Sequence, residues 1–460
     1  MSSIVLTNLT RNIEIGANCY SLELAGRRIL LDSGMHPRSE GGEATPQLDL
    51  VPPDSADAIF LTHAHQDHLG CLPLAMRRHP RAPVFMTEAT ARLGDAMLHN
   101  SVNVMTRQGE EGHPKNVLFT HREVESGTKR WRTMPLRQRF DLTGERLLEH
   151  EPAEVACQLY DAGHILGSCG VLFESGGRRV FYTGDVNFED QTLMRAAQFP
   201  EGPFDLLIME STRGDHQTPP ELTREGEELR FAAAIRETLE RGGAVFIPVF
   251  ALGKTQEVLA MLHSFRRRDL LRDVPVYIGG LSTKLTEIFD RLSHETPRRH
   301  PELKLLKNDA LFTLGGPEAI NTTIKPGRIY ALSSGMMSEN TLSNRLVRQV
   351  LGNPLHSLLF VGYADPSSPA GALLATPPGE KISLGAGHEP QEIRCDVRTF
   401  SFSGHGTRES LLAYAKRVQP KAVVLVHGDP AAVSWMQNAL QRELPDSRIL
   451  SAPPGEALVF

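Results

Sequence analysis

The chain is poor in cysteine, in aromatic residues and in surplus positive charge. Its five cysteines, Cys19, Cys71, Cys157, Cys169 and Cys395, are scattered and show no C-x-x-C pair. That argues against a disulfide framework or a thiolate zinc site, fits a reducing compartment, and leaves small buried side chains as their expected role. Lys and Arg total 49 against 55 Asp and Glu, a formal net charge of −6. A broad basic face for long nucleic acid is therefore not expected, although locally bound divalent metal adds charge that this count omits. No apolar run is long enough to span a bilayer. The start, Met1-Ser2-Ser3-Ile4-Val5-Leu6, has neither a basic segment nor an apolar signal core. A cytoplasmic protein with no membrane partner is the expectation. The 460 residues allow two or three globular domains.

What is present is a dense histidine motif. Thr62-His63-Ala64-His65-Gln66-Asp67-His68 follows Ala58-Ile59-Phe60-Leu61, an apolar run that reads as a buried strand. A strand ending in a tight turn presents alternate side chains at its mouth. His63 and His65 are then expected to face one point, and Asp67 and His68 a neighbouring one. Imidazole nitrogen and carboxylate oxygen are both zinc ligands, so one loop could supply half the ligands of two adjacent ions.

Other segments can be placed more coarsely. Strands are expected at 18–24 and 28–32 around an Ala25-Gly26-Arg27 turn, at 57–62, 83–86, 180–185 and 204–210. Helices are expected at 72–78 and 88–103. From residue 211 strands alternate with helices: 222–241 helix, 243–250 strand, 255–267 helix, and 274–280 strand leading into a Gly-rich turn. This alternation implies a parallel α/β unit. Pro366–Gly371 reads as a loop. A helix at 409–418 and a strand at 421–426 follow.

Several acids and histidines share the setting of the first motif. Asp32, Asp185, Glu210 and His427 each close an apolar run, where α/β active sites gather. His164 stands in Ala162-Gly163-His164-Ile165-Leu166-Gly167-Ser168, after a short loop. Singly, each has a plain structural explanation: a satisfied histidine, or an aspartate in a turn. Jointly they supply nitrogen and oxygen donors for two ions and a bridging carboxylate.

The order Asp32, His63-x-His65-x-Asp67-His68, His164, Asp185 resembles the metallo-β-lactamase superfamily. Glu210 in Glu-Ser-Thr, His405 in Phe402-Ser403-Gly404-His405 and His427 in Val426-His427-Gly428 resemble the three additional motifs of its β-CASP branch of nucleases. Pro248-Val249-Phe250-Ala251-Leu252-Gly253 and Ser333-Ser334-Gly335-Met336 also look like that branch. The resemblance implies an αββα sandwich from residues 1–210 and 396–460. An inserted α/β parallel-sheet β-CASP domain would occupy 211–395, with the active site in a cleft between the two.

By that resemblance two Zn²⁺ ions are the cofactors. His63, His65 and His164 would hold one, Asp67, His68 and His427 the other, and Asp185 would bridge both, with a hydroxide between the ions as nucleophile. Asp32 would touch no metal and would orient loop histidines. The catalytic positions implied are Asp67, Glu210 and His405, the last as general acid with Glu210 holding its imidazole. Glu210 and His427 lean toward RNA over DNA, single-stranded RNA in particular; a homodimer is compatible with all of this. Lys254, Ser334 and Gly335 are the implied substrate-binding residues. Arg213, Lys254 and the segments after Met336 and Gly362 depart from the branch's usual pattern, which bears on the substrate and not on metal chemistry. Two rivals remain: a hydrolase of a small ester, thioester or phosphodiester on the same fold, and a silent scaffold subunit.

Overall fold

Apolar alternation with a period of two builds the first layers. Tyr20–Leu24 and Arg27–Leu31 pair antiparallel through Ala25 and Gly26, whose φ angles of 53° and 78° give a primed two-residue turn that matches strand twist. The computed structural model describes residues 3–110, 117–219, 221–307, 310–315, 321–385 and 388–460. They form two units: Met1–Asp190, Met194–Gln217 and His405–Phe460 in the first, Gln191–Leu193 and Thr218–Gly404 in the second.

The first unit contains two seven-stranded mixed sheets. One runs Ala457–Val459, Val5–Asn8, Tyr20–Leu24, Arg27–Leu31, Ala58–Phe60, Val84–Met86, Trp131–Thr133. Its pairings are antiparallel as far as Arg27–Leu31 and parallel from there on. The other runs Arg448–Ser451, Ala422–Val426, Leu206–Glu210, Arg178–Tyr182, Cys169–Ser175, Ala156–Asp161, Arg139–Asp141. Its first four strands are parallel and the rest antiparallel. The inner faces share one core, in which Tyr20, Ile29, Phe60 and Phe85 meet Phe140, Phe173, Tyr182 and Ile208. Phe60 stands edge-on to Phe173 with ring centres 5.0 Å apart. On the outer face of the second sheet, Phe181, Leu207 and Leu425 meet Leu411, Tyr414, Met436 and Leu440 of the helices Arg408–Val418 and Pro430–Glu443. Beside the first sheet, the helix Glu88–Glu110 lets Gly94 approach Leu69 and Trp131. This is the expected αββα sandwich. All five cysteines are buried and unpaired, as anticipated.

The second unit holds a six-stranded, wholly parallel sheet: Leu311–Leu314, Val276–Gly279, Ile329–Leu332, Val245–Pro248, Ser357–Phe360, Asp396–Thr399. Its central strands are buried along their whole length, because helices such as Arg224–Glu240, Lys254–Arg267 and Leu342–Leu351 accompany them. This is the expected inserted α/β domain. Two local expectations fail. Pro366–Gly371 is not all loop: Ser368 caps a helix Pro369–Ala375 by accepting the Gly371 N–H at 3.1 Å, and Pro369 pre-sets its first turn. The strand Val276–Gly279 leads into no Gly-rich turn, since Gly280 already begins the helix Gly280–Arg291. Among the described residues, no helix is long and apolar enough to cross a membrane.

Candidate active site

Five of the chemistry-bearing residues of the first unit stand at or just beyond the carboxyl ends of strands. Asp32 follows Arg27–Leu31, His63 follows Ala58–Phe60, Asp185 follows Arg178–Tyr182, and His427 follows Ala422–Val426, while Glu210 is the last residue of its strand. Asp32 and His427 have φ of 58° and 49°, the left-handed region that non-glycine residues rarely occupy and that is concentrated at functional sites.

The histidine loop differs from the simple alternation expected of it. His65 precedes a single helical turn, Gln66–Leu69, so Asp67 and His68 leave the loop from a helix. Gly34 makes this possible. A Cβ at Gly34 would lie 1.6 Å from the Asp67 carbonyl oxygen, on backbone that cannot swing away. Gly34→Ala is expected to cost several kcal/mol of stability, as severe backbone clashes do, and to lose bound metal. A melting temperature and metal content equal to wild type would contradict this.

One group of donors is His63, His65, His164 and Asp185, with ligand atoms all within 4.8 Å of one another. His65 Nδ1 lies 3.1 Å from His63 Nε2 and 3.0 Å from His164 Nε2; Asp185 Oδ2 is 3.5 and 3.6 Å from those two. A second group is Asp67, His68 and His427. His427 Nε2 is 3.2 Å from Asp67 Oδ2, and Asp185 Oδ1 lies 2.9 Å from His427 Nδ1 and 3.3 Å from His68 Nε2. Asp185 therefore faces both groups, one oxygen to each. Its Oδ1 is buried without an aligned hydrogen-bond donor.

This donor set fits metal. Burial, then the neighbouring imidazoles, hold His63 well below its usual pKa, and burial lowers His65, so both favour the neutral ligand form. His65 Nδ1 can offer one proton at most to two neighbouring nitrogens. A tetrahedral ion with ligands at about 2.0 Å would draw such donors to about 3.3 Å apart. Burial works against a charged Asp185, but His427 and His68 outweigh it and keep the carboxyl well below the usual range.

Behind these donors stands Asp32, fully buried. Its Oδ2 lies 2.8 Å from His68 Nδ1, and its Oδ1 accepts the Thr62 N–H at 2.8 Å. The Thr62 hydroxyl lies 2.9 Å from Asp32 Oδ2 and 3.1 Å from His63 Nδ1, linking a second histidine to the same carboxylate. Such outer hydrogen bonds fix the tautomer and aim of a ligating imidazole. Sequence reasoning missed several partners. Asn18 donates to the Asp67 carbonyl at 3.1 Å, and Thr212 Oγ1 is 3.0 Å from His427 Nδ1. Asn18 is a common uncharged residue with no local signature, and Thr212 stands in the Glu-Ser-Thr motif but drew no role of its own from it.

His405 and Glu210 form a pair beside the donors. His405 Nδ1 is 3.2 and 3.3 Å from the two Glu210 oxygens and 4.0 Å from Asp185 Oδ2. Glu210 is fully buried and accepts the Val186 N–H. Burial lowers the His405 pKa, but Glu210, by charge and hydrogen bond, and then Asp185 outweigh it, so His405 is raised above its ordinary value. The donor atoms of Asp185, Glu210, His405 and His427 also lie within 4.8 Å of one another. Lys254, Ser334 and Gly335 belong to the second unit. There Lys254 and Gly335 line one small pocket with Phe250, Gly362 and Tyr363; Lys254 Nζ donates to the Phe402 carbonyl, and burial lowers its pKa to about 8.

Known proteins share this organisation. Residues 27–240 match the β-lactamase superfamily domain, 255–373 the β-CASP domain, and 390–450 the Zn-dependent metallo-hydrolase RNA specificity domain. Cleavage and polyadenylation specificity factor 73 of Drosophila melanogaster is 30% identical over 94% of this chain and 60% of its own length. Probable RNase MJ4 of Methanocaldococcus jannaschii is 28% identical over 93% of each chain. Transcription termination factor FttA of Methanothermobacter thermautotrophicus is 30% identical over 90% of this chain and 65% of its own. The chain thus spans about 60% of the Drosophila relative. A solved structure from Enterococcus faecalis, described as a protein of unknown function, aligns over the whole of both chains with a TM-score of 0.57 at 14% identity, a likeness of fold alone. The three domain matches follow one another along a chain whose donor groups sit at the strand ends of an αββα sandwich, and the chain belongs to the metallo-β-lactamase superfamily, in the branch that carries a β-CASP domain.

Proposed function

We propose that this chain is a zinc-dependent ribonuclease that hydrolyses RNA phosphodiester bonds. The observation that carries this reading is the His405–Glu210 pair set against Asp185. Phosphodiester cleavage expels an alkoxide, and a protonated imidazole held near neutrality is suited to protonate it.

In this reading His63, His65 and His164 hold one ion, Asp67, His68 and His427 the second, and Asp185 reaches both. Zinc, when bound, supplies Lewis-acid polarisation of phosphoryl oxygen and lowers the pKa of water. The chain's own residues do the rest. His405 Nδ1–H faces Glu210, which leaves the Nε2 proton to be delivered to the leaving oxygen. Glu210 keeps that imidazole charged and oriented, and Asp32 aims His68. Lys254, Ser334 and Gly335 in the second unit are proposed to hold the polymer, Lys254 through phosphate. Preference for RNA is supported by two relatives, a cleavage and polyadenylation specificity factor and a probable RNase.

The test is purified protein with 5′-labelled and 3′-labelled RNA and the matching DNA. RNA is expected to give a product ladder that zinc supports. Hydrolysis of a chromogenic ester or thioester with both RNAs untouched would move the chain to the small-substrate rival.

A further inference from the structure

Tyr182 has no role in the metal chemistry read from the sequence, yet its hydroxyl touches the carboxylate on which two of the histidines depend. It donates to Asp32 Oδ2 at 2.8 Å, the same oxygen that faces His68 Nδ1 at 2.8 Å. Tyr182 is 1% exposed, and Asp32 and His68 are fully buried, so water cannot replace the bond. Tyr182 stands on the strand Arg178–Tyr182 of one sheet, whereas Asp32 and His68 follow strands of the other. The hydrogen bond therefore crosses the sandwich. Three residues further along the Tyr182 side comes Asp185, so one short segment carries both the shared carboxylate and the hold on Asp32.

The donor roles are determined by chemistry. Burial first, and then the Asp32 charge, push the Tyr182 phenol well above its usual pKa, so it stays a donor. Asp32 accepts from the Tyr182 hydroxyl at Oδ2 and from the Thr62 N–H at Oδ1. The bond to His68 then runs from Nδ1–H to Asp32, which turns Nε2, the nitrogen that would hold metal, toward Asp185 Oδ1, 3.3 Å away. The edge-to-face stack of Tyr182 on Tyr20, with ring centres 5.9 Å apart, limits where the hydroxyl can point.

We infer that Tyr182 is a positioning residue that, from the opposite sheet, sets the loading of the ion held by His68 and leaves the ion at His63, His65 and His164 nearly unaffected. The inference rests on the two-ion reading given above. The asymmetry follows from the wiring. His68 is bonded to Asp32 directly, whereas His63 reaches it only through the Thr62 hydroxyl. The loop of His164 hangs on Ser168, whose Oγ accepts the His164 N–H at 3.1 Å.

The experiment compares wild type, Tyr182→Phe and a packing control, Phe173→Leu, in the same core but without a bond to the site. Stepwise zinc affinities are read by competition with a chromophoric chelator, metal content by mass spectrometry, and stability by melting. Tyr182→Phe is expected to weaken one of the two ions roughly 10- to 100-fold, the usual effect of losing an outer partner of a metal ligand, with the other ion within about twofold of wild type. Asp32→Asn should weaken the same ion. Phe173→Leu should lower the melting temperature and leave both affinities in place. Wild type with two ions and Tyr182→Phe with both affinities unchanged, or with both reduced together, overturns the inference alone. Wild type that takes up fewer than two ions overturns the two-ion reading and the inference with it.

Discussion

His405→Ala retains its metal ions and loses turnover on RNA by about 10²- to 10⁴-fold, the usual worth of a positioned general acid. The retention follows from the wiring of the site: His405 Nδ1 is turned to Glu210, and Asp185 Oδ2 is 4.0 Å away. The loss follows from the proton. Burial pulls the His405 pKa down, but Glu210 and Asp185 outweigh it, so the imidazole keeps its proton to higher pH than an ordinary histidine. A general acid acts only while protonated. Activity should therefore hold below the raised pKa and fall as pH climbs through it. Glu210→Gln removes the main charge that raises it, so the same fall should begin at lower pH. Full cleavage of RNA by His405→Ala, or a pH profile that Glu210→Gln does not move, would sink the general-acid assignment.

Chelation with EDTA is expected to abolish activity and lower the melting temperature, and added zinc to restore both. A ligand that binds only the folded state at a thousand times its Kd stabilises by about 4 kcal/mol, so two ions contribute substantially to a fold of ordinary marginal stability. The stripped protein should nonetheless stay folded. Without metal the cluster satisfies itself as ion pairs: burial opposes charge on His427 and His68, but Asp185 next to both, with Asp67 and Asp32 added, outweighs it and raises both, His427 to about 10. Those histidines hold protons that metal must displace. Zinc uptake should therefore release protons, and affinity should fall as pH drops below the raised values. Undiminished RNA cleavage by protein shown to be metal-free would overturn this account.

Some of the site could be read along the chain because its signals are local. A strand followed by His-x-His-x-Asp-His announces convergent donors whatever surrounds it. Glu210 and His427 end runs whose burial is written in consecutive apolar residues. The alternation of such runs with helices identified the parallel second unit. Where local signals competed, reading failed: Pro366–Gly371 looks like loop because proline and serine dominate it, yet those same residues cap and start a helix.

What the sequence by itself determined is the inventory: which donors, at which strand ends, on which two kinds of sheet. It could do so because ligand chemistry and strand periodicity are properties of a few adjacent residues. Only the tertiary structure decided the partnerships. Asp67 and His427 are 360 positions apart and meet at 3.2 Å. Tyr182 meets Asp32 across 150 positions, and Gly34 admits the Asp67 carbonyl with no room for a methyl group. Uncharged residues such as Asn18, Thr62 and Tyr182 carry no pattern of their own. They acquire a role only when two sheets close on a shared core and exclude water, so that each buried polar atom must find its partner inside the protein.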